Sequence, residues 1–335
     1  MKLRACLWFL AMCSFAVGTN AHAAEPRPNT ANLVKEHRNS LVFVEGKSGQ
    51  GSGFIADIKG KKFLLTNIHV LAGVRPPQFT LLDRTPVNVG PAAAAVGHDI
   101  GALEVLSGGS ALPTVESVES ETSIGDAVVV LGNAEGAGVV NLLQGNIVGI
   151  GPNLVEVDAP FVPGNSGSPI IHVPSGKVIG IATYLTVKQL GPREQKVRRF
   201  GYRIDSVQKW QPIDWTRFYA ESDMITRIEK TSSELVALLD DLGKNGQITR
   251  TYSSPSIRNA LDNLAKVKRQ NSSRAEADRA VENMLNSLRS ASLSDVKEAR
   301  QRIGYDFFLR QLENEERERG EISKVFDQAI KQQRK

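Results

Sequence analysis

A serine flanked by two glycines is the first feature of this sequence that could perform chemistry. Ser166 follows Gly164 and Asn165 and precedes Gly167, in a loop between short β-type runs. Glycine lets a substrate approach the main chain closely. A hydroxyl on a tight loop, with backbone N–H groups beside it, is what acyl transfer needs from a nucleophile and an oxyanion hole. An ordinary Gly-Ser turn between strands is equally open from this segment alone, so a base and an acid elsewhere must decide.

A candidate base and acid precede this loop in the chain. His69 follows an apolar strand and begins a helical turn, and Asp99 stands directly before the apolar run 100–105. Taken singly, they could be a solvated histidine and a turn aspartate. Together with Ser166 they follow the order His, Asp, Ser of chymotrypsin-type enzymes, whereas subtilisins and α/β-hydrolases use other orders.

Several neighbouring residues offer alternatives that we consider weaker. Ser168 is a second hydroxyl, but it follows the motif glycine. His98 adjoins Asp99, and adjacent strand residues point to opposite faces, so we expect His98 to face outward. His37 and His172 are interpreted as surface or loop histidines. No clustered His, Asp and Glu set has metal spacing and no phosphate loop precedes a helix, so we expect no metal and no cofactor.

The sequence divides into a β-rich part and a helical part. Many short β-type runs separated by Gly-rich turns lie between Leu41 and Ile204, which favours a barrel or sandwich. From about Trp215 glycine becomes rare and apolar residues recur at helical spacing. We expect four helices, the third capped at Ser272-Ser273 and a fourth beginning at Ser294-Asp295. The charged final turns around 313–319 suggest a lone solvated helix.

The N-terminus predicts export. Lys2 and Arg4 precede an apolar run, 5–17, and Ala21-His22-Ala23 offers small residues for cleavage, so residues 1–23 are interpreted as a signal peptide and not as a stable membrane anchor. Both cysteines lie inside this segment, and Met12 before Cys13 argues against lipidation. We therefore expect a cysteine-free, periplasmic or extracellular protein. The formal charge of +5 comes without a dense basic run, so no nucleic-acid partner is predicted.

Four segments together resemble the bacterial trypsin-like serine peptidases, of the HtrA/Deg or glutamyl-endopeptidase branch. The resemblance covers about residues 31–210 and implies a mainly β, double β-barrel fold, followed here by an α-helical C-terminal domain in place of PDZ modules. We therefore expect a protease domain over 24–214 and a helical region over 215–335. The matching segments are Gly51-Ser52-Gly53-Phe54-Ile55, Thr66-Asn67-Ile68-His69-Val70, His98-Asp99-Ile100-Gly101-Ala102-Leu103 and Gly164-Asn165-Ser166-Gly167-Ser168-Pro169.

The resemblance assigns roles to the candidate residues. It implies that Ser166 is the nucleophile, that His69 is the general base, and that Asp99 orients the imidazole. The backbone around Gly164, Asn165 and Ser166 would form the oxyanion hole. Relatives activated by cleavage carry an aspartate at the position of Asn165, which pairs with a new N-terminus. We therefore expect no activating cleavage beyond signal removal.

The resemblance also implies where the substrate side chain binds. The primary pocket would be lined by Pro160, Phe161, Ala182, Thr183 and Tyr184. No aspartate is placed in this pocket to bind a substrate Arg or Lys side chain. Ala182 occupies the position at which glutamyl endopeptidases carry a pocket histidine. We expect an apolar pocket that favours small or medium aliphatic side chains.

The function predicted on this basis is a secreted or periplasmic serine endopeptidase acting on proteins or peptides. A catalytically idle scaffold that acts through its helical region is the main alternative, and cleavage of esters or of one dedicated partner is a third. The helical region could dock a partner, self-associate, shield the site, or serve as a structural appendage packed on the barrel.

Overall fold

The computed structural model describes residues 32–133, 139–191, 194–245, 248, 250–269 and 273–333. The predicted signal peptide lies outside these residues. In chain order the elements are α1 (Leu33–His37), β1 (Leu41–Glu45), β2 (Gln50–Ile58), β3 (Lys61–Thr66), α2 (Ile68–Gly73), β4 (Gln78–Leu81), β5 (Asn88–Ala95), β6 (Gly101–Ser107), α3 (Val118–Glu121), β7 (Ala127–Gly132), β8 (Asn141–Ile150), β9 (Leu154–Val157), β10 (Pro169–His172), β11 (Lys177–Gly191), β12 (Glu194–Arg203), β13 (Trp210–Pro212), α4 (Trp215–Asn245), α5 (Pro255–Arg269), α6 (Arg274–Arg302) and α7 (Asp306–Gln333).

Two antiparallel sheets form the β-rich part. The first has seven strands in the order β13-β5-β6-β3-β2-β1-β4, and the second is a closed barrel, β10-β11-β12-β9-β8-β7. The chain between β4 and β5 curls the first sheet toward closure, because Val87 N donates to Phe79 O at 2.9 Å. The mainly β, two-barrel fold with C-terminal helices predicted from the sequence is confirmed.

Alternating side chains of the first sheet belong to two different buried clusters, one on each face of the sheet. Phe54 and Leu65 pack against the outside of the closed barrel, in a cluster that contains Ile171. Their neighbours Ile55 and Leu64 point to the other face, as strand periodicity requires. Both faces of the central strands are therefore buried.

The helical region completes the core of the first sheet. Phe218 and Ile225 of α4 and Phe308 of α7 belong to the same buried cluster as Leu64 and Leu71. A second buried cluster joins the distal parts of the helices, around Leu238, Leu285 and Phe326. The helices are thus packed on the first sheet and share its buried core.

The prediction of a separate fourth helix beginning at Ser294-Asp295 is wrong. The cap at Ser273 is confirmed by a reciprocal capping box with Glu276, but α6 then continues to Arg302. It continues because Val296 and Ala299 extend its buried stripe, which makes packing stronger than the local Ser-Asp signal. The break comes at Gly304, where a Cβ would lie 1.7 Å from an Arg217 guanidinium nitrogen.

The last helix is packed, and the prediction of a lone solvated helix is also wrong. Arg319 is 0% exposed. Its guanidinium donates to Ser232 Oγ at 2.7 Å, Ser292 O at 2.8 Å and Ile228 O at 2.9 Å.

Among the described residues, no helix has an apolar stretch long enough to cross a membrane.

Candidate active site

His69 and Asp99 meet because His69 follows the end of β3 and Asp99 precedes the start of the adjacent strand β6. β3 pairs with β6 through Thr66 and Gly101, so the residues just beyond these ends converge. Asn67 Nδ2 donates to Asp99 O at 2.7 Å and ties the two segments together. In the short helix α2, Ile68 and Leu71 are buried, which leaves the His69 side chain 40% exposed on the open face.

The Asp99 carboxylate is held by three donors. Oδ1 accepts from His69 N at 3.0 Å, and Oδ2 accepts from His69 Nδ1 at 2.5 Å and from Thr183 Oγ1 at 3.0 Å. Burial opposes ionisation of Asp99, but the charge of His69 and these bonds outweigh it, so the pKa of Asp99 is lowered. The acid is therefore an ionised acceptor at neutral pH.

The same contact determines the state of the histidine. An ionised carboxylate only accepts hydrogen bonds, so His69 Nδ1 must carry the hydrogen and Nε2 keeps its lone pair when the ring is neutral. Burial of the ring favours the neutral form, but the charge and hydrogen bond of Asp99 outweigh it and raise the pKa of His69. The imidazole is thus a strengthened base with its free nitrogen available.

The Ser166 loop comes from the second barrel and docks on the first sheet. Ser52 N donates to Ser166 O at 3.0 Å. Gly167 has φ +88°, and a Cβ there would lie 1.9 Å from Ser52 O. Only glycine permits this approach, so the loop's position depends on Gly167.

Thr183 of β11 connects the serine to the histidine–aspartate pair. Its hydroxyl donates to Asp99, and its carbonyl accepts from Ser166 Oγ at 3.4 Å. No hydrogen bond joins Ser166 to His69 within the described part of the chain, and such bonds often tighten only when substrate binds. Sequence reasoning had assigned Thr183 to the substrate pocket and had missed this contact.

The loop before the serine forms a closed type II turn. Asn165 N donates to Val162 O at 3.0 Å, and Val162 N donates to Asn165 Oδ1 at 3.0 Å. Pro163 and Gly164, with φ +98°, occupy the two central positions that this turn requires. The Asn165 N–H is used within the turn, whereas the N–H groups of Gly164 and Ser166 have no partner among the described residues.

The predicted pocket residues lie in different surroundings. Phe161 and Ala182 are buried in the core of the second barrel, and Pro160 is exposed. Tyr184 stacks on Phe200 with ring centroids 5.1 Å apart. Sequence reasoning did not single out Arg199 of β12, whose Nε donates to Phe161 O at 2.9 Å. Its direction follows from the register of β12, which the sequence alone did not reveal.

The alternative serine and histidines are buried away from this constellation. Ser168 is 0% exposed, so its hydroxyl cannot meet a substrate in this conformation. The prediction that His98 faces outward is wrong, because its Nε2 contacts Ser206 Oγ at 2.8 Å inside the protein. His172 was interpreted as a surface or loop residue and is likewise buried, beside Asp126 and Ser175.

A cavity of about 430 Å³ lies between His69 and the helical region. Ser222 and Thr226 of α4 and Gln311 of α7 contribute to its wall. Arg75, which follows α2, links the β-rich part to α4, because its Nη1 lies 2.7 Å from Asp223 Oδ1. The helices therefore lie beside the candidate base without closing over it.

Over the described ranges, no cluster of three His, Cys, Asp or Glu residues could hold a metal ion.

Comparison with known proteins finds similarity to serine proteases. Residues 51–181 match the family model of the trypsin-like peptidase domain. The chain is 31% identical over 156 residues to the putative serine protease HhoA of Synechocystis sp., covering 43% of this chain and 39% of that protein. It is 27% identical over 175 residues to the serine protease Do-like HtrA of Bacillus subtilis, covering 48% and 37%. The chain thus spans less than half the length of these relatives.

Two solved structures are also similar. The protease Rv3671c of M. tuberculosis in an inactive form is 22% identical, with a TM-score of 0.42 over 55% of this chain and 93% of that one. The serine endoprotease from Yersinia pestis is 23% identical, with a TM-score of 0.41 over 54% and 63%.

Proposed function

We propose that this chain, which carries a trypsin-like peptidase domain over residues 51–181, is a serine endopeptidase that hydrolyses peptide bonds of proteins. The observation that carries the proposal is the His69–Asp99 pair, with Nδ1 and Oδ2 2.5 Å apart, joined through Thr183 to Ser166. A nucleophile, a base and an orienting acid are the three parts that acyl transfer requires.

The mechanism follows from these parts. Ser166 Oγ attacks the scissile carbonyl while His69 Nε2 takes its proton, and Asp99 stabilises the imidazolium. The carbonyl oxygen becomes an oxyanion that accepts from the N–H groups of Gly164 and Ser166. His69 then gives the proton to the leaving amine as the C–N bond breaks. Water, deprotonated by His69, attacks the acyl-enzyme, and His69 then returns this proton to Ser166 Oγ as the acyl bond breaks and the acid is released.

The enzyme needs no activating cleavage beyond signal removal. The turn from Val162 to Asn165 is supported by its own reciprocal hydrogen bonds, so no new N-terminus is required to shape it. Export of the protein to the periplasm or exterior is proposed from Lys2, Arg4 and the apolar run that follows them.

A fluorophosphonate probe tests the function directly, because it reacts with a serine only when a base activates it. We expect covalent labelling of the full chain and its loss in Ser166→Ala. Casein or another unfolded protein should be cleaved by the wild type only. Absence of labelling in the folded wild type from pH 6 to 9 would overturn the proposal and favour a scaffold acting through the helical region.

A further inference from the structure

We infer that Arg199 makes this a peptidase for acidic residues, cleaving after Asp or Glu; the inference rests on the proposed function. The structural basis is a guanidinium that has no carboxylate partner in the described part of the chain and lies between the two segments that frame the nucleophile.

The register of β12 brings Arg199 close to both segments. Arg199 pairs with Val157 on one side and with Leu185 on the other. Leu185 lies two residues beyond Thr183, whose carbonyl accepts from Ser166. On the opposite side, Arg199 Nε donates to Phe161 O, one residue before the turn that leads to the oxyanion N–H groups.

The two consecutive arginines of β12 point to opposite faces. Arg198 makes a bidentate pair with Glu156 at 2.8 and 2.7 Å, and its guanidinium lies over the Phe200 ring. Strand alternation turns Arg199 the other way, toward the barrel end that contains Phe161 and Val157. Arg198 therefore has a counter-charge, whereas Arg199 has none among the residues that the structure describes.

Arg199 is half-buried and forms no ion pair with any carboxylate in the described part of the chain. Phe161, Val157 and Ala182, which are nearly inaccessible to solvent, belong to one apolar cluster beside it. A substrate carboxylate there would supply the missing counter-charge and accept hydrogen bonds from the remaining guanidinium hydrogens. A Lys or Arg side chain would meet a like charge there. The apolar preference expected from the sequence did not take account of this residue.

The test is a series of otherwise identical peptides that vary the residue before the cleaved bond. We expect kcat/KM for Glu or Asp to exceed that for Gln or Asn at least tenfold, and to exceed that for Leu, Val, Lys and Arg. Arg199→Gln should reduce the acidic preference at least tenfold, measured as the ratio of kcat/KM for Glu to kcat/KM for Gln, so that any change in overall activity cancels. Arg199→Lys, which keeps the charge, should retain part of the preference.

Arg198→Gln is the matched control, because it removes the adjacent, already paired arginine and should not change the preference. Equal cleavage after Glu and Gln by the wild type would overturn the inference, as would an equal loss of preference in Arg198→Gln and Arg199→Gln. If Arg199→Gln fails to fold, the wild-type Glu-to-Gln ratio decides by itself. Labelling by the probe without acidic preference rejects this inference alone, whereas absence of labelling rejects the proposed function.

Discussion

The Thr183 hydroxyl of the second barrel donates to Asp99 Oδ2 of the first sheet at 3.0 Å. The acid of the candidate site is therefore oriented from both halves of the β-rich part. Asp99 is nearly inaccessible to solvent, so water cannot replace a donor that is lost.

Thr183→Val should lower kcat/KM by about tenfold to a hundredfold, because a hydrogen bond to a charged group is worth about 1.5–3 kcal/mol. Thr183→Ser retains the hydroxyl and should stay within a few-fold of the wild type. Steady-state kinetics on one peptide, with a probe titration of active sites, measures both. Equal activity of the Val and Ser variants would contradict a positioning role for this hydroxyl.

The labelling rate should rise with pH through a midpoint above 6.5, the ordinary pKa of histidine, because Asp99 raises the pKa of His69. Only neutral His69 can accept the serine proton, so activity is lost as pH falls through this raised pKa. Asp99→Asn should lower both the rate and the midpoint.

The fluorophosphonate rate between pH 5 and 9 measures this midpoint without a titrating substrate. His37→Gln, outside the site, serves as the control and should leave the midpoint unchanged. A wild-type midpoint below 6.5 would contradict the proposed role of the Asp99 charge.

Gly167→Ala should destabilise the protein by about 2–5 kcal/mol and abolish labelling, since it adds left-handed strain and a clash with Ser52 O. Gly176→Ala is the matched control: Gly176 has φ +68° but open space where a Cβ would stand. It should cost only about 1–2 kcal/mol and keep labelling. Urea unfolding followed by fluorescence measures the free energy of unfolding of both variants. Equal losses in the two variants would show that docking of the loop on Ser52 is unimportant for stability.

Phe218→Ala should lower the free energy of unfolding by about 3–5 kcal/mol, because Phe218 is fully buried between the first sheet and the helices. Val236→Ala, at an exposed position of the same helix, should change it by less than about 0.5 kcal/mol. Probe reactivity and helical circular dichroism should be lost at the same urea concentration. Reactivity that outlasts the helices would mean that the β-rich part is stable alone.

Gln311→Trp should fill part of the cavity beside His69 and slow cleavage of long peptides that extend beyond the scissile bond. The small fluorophosphonate probe should react as with the wild type, since Gln311 is outside the candidate triad. Val236→Trp, on the exposed side of α4, provides the control. Unchanged kcat/KM for both long and short peptides would show that substrate does not enter this cavity.

Local chemistry was predictable from the sequence, whereas its surroundings were not. His69, Asp99 and Ser166 lie in short motifs whose order identifies them, and the Ser273 cap is a four-residue signal. An amphipathic pattern predicts that a helix buries one face but does not reveal what covers it, so the packing of Phe218 against the first sheet was missed. The contacts of Arg199 and Thr183 depend on strand register. They were not predictable because register is determined by pairing between segments that are distant in the sequence.

The turn from Val162 to Asn165 has a consequence for the cell as well as for catalysis. Under the proposed function, a loop that is shaped by its own four residues needs no cleavage to become active, so the reactive serine would form as the chain folds. Under the same proposal, control of the activity would come from outside the loop: from the compartment in which the protein resides, from the scarcity of chains that expose a suitable bond, or from a molecule that occupies the cleft.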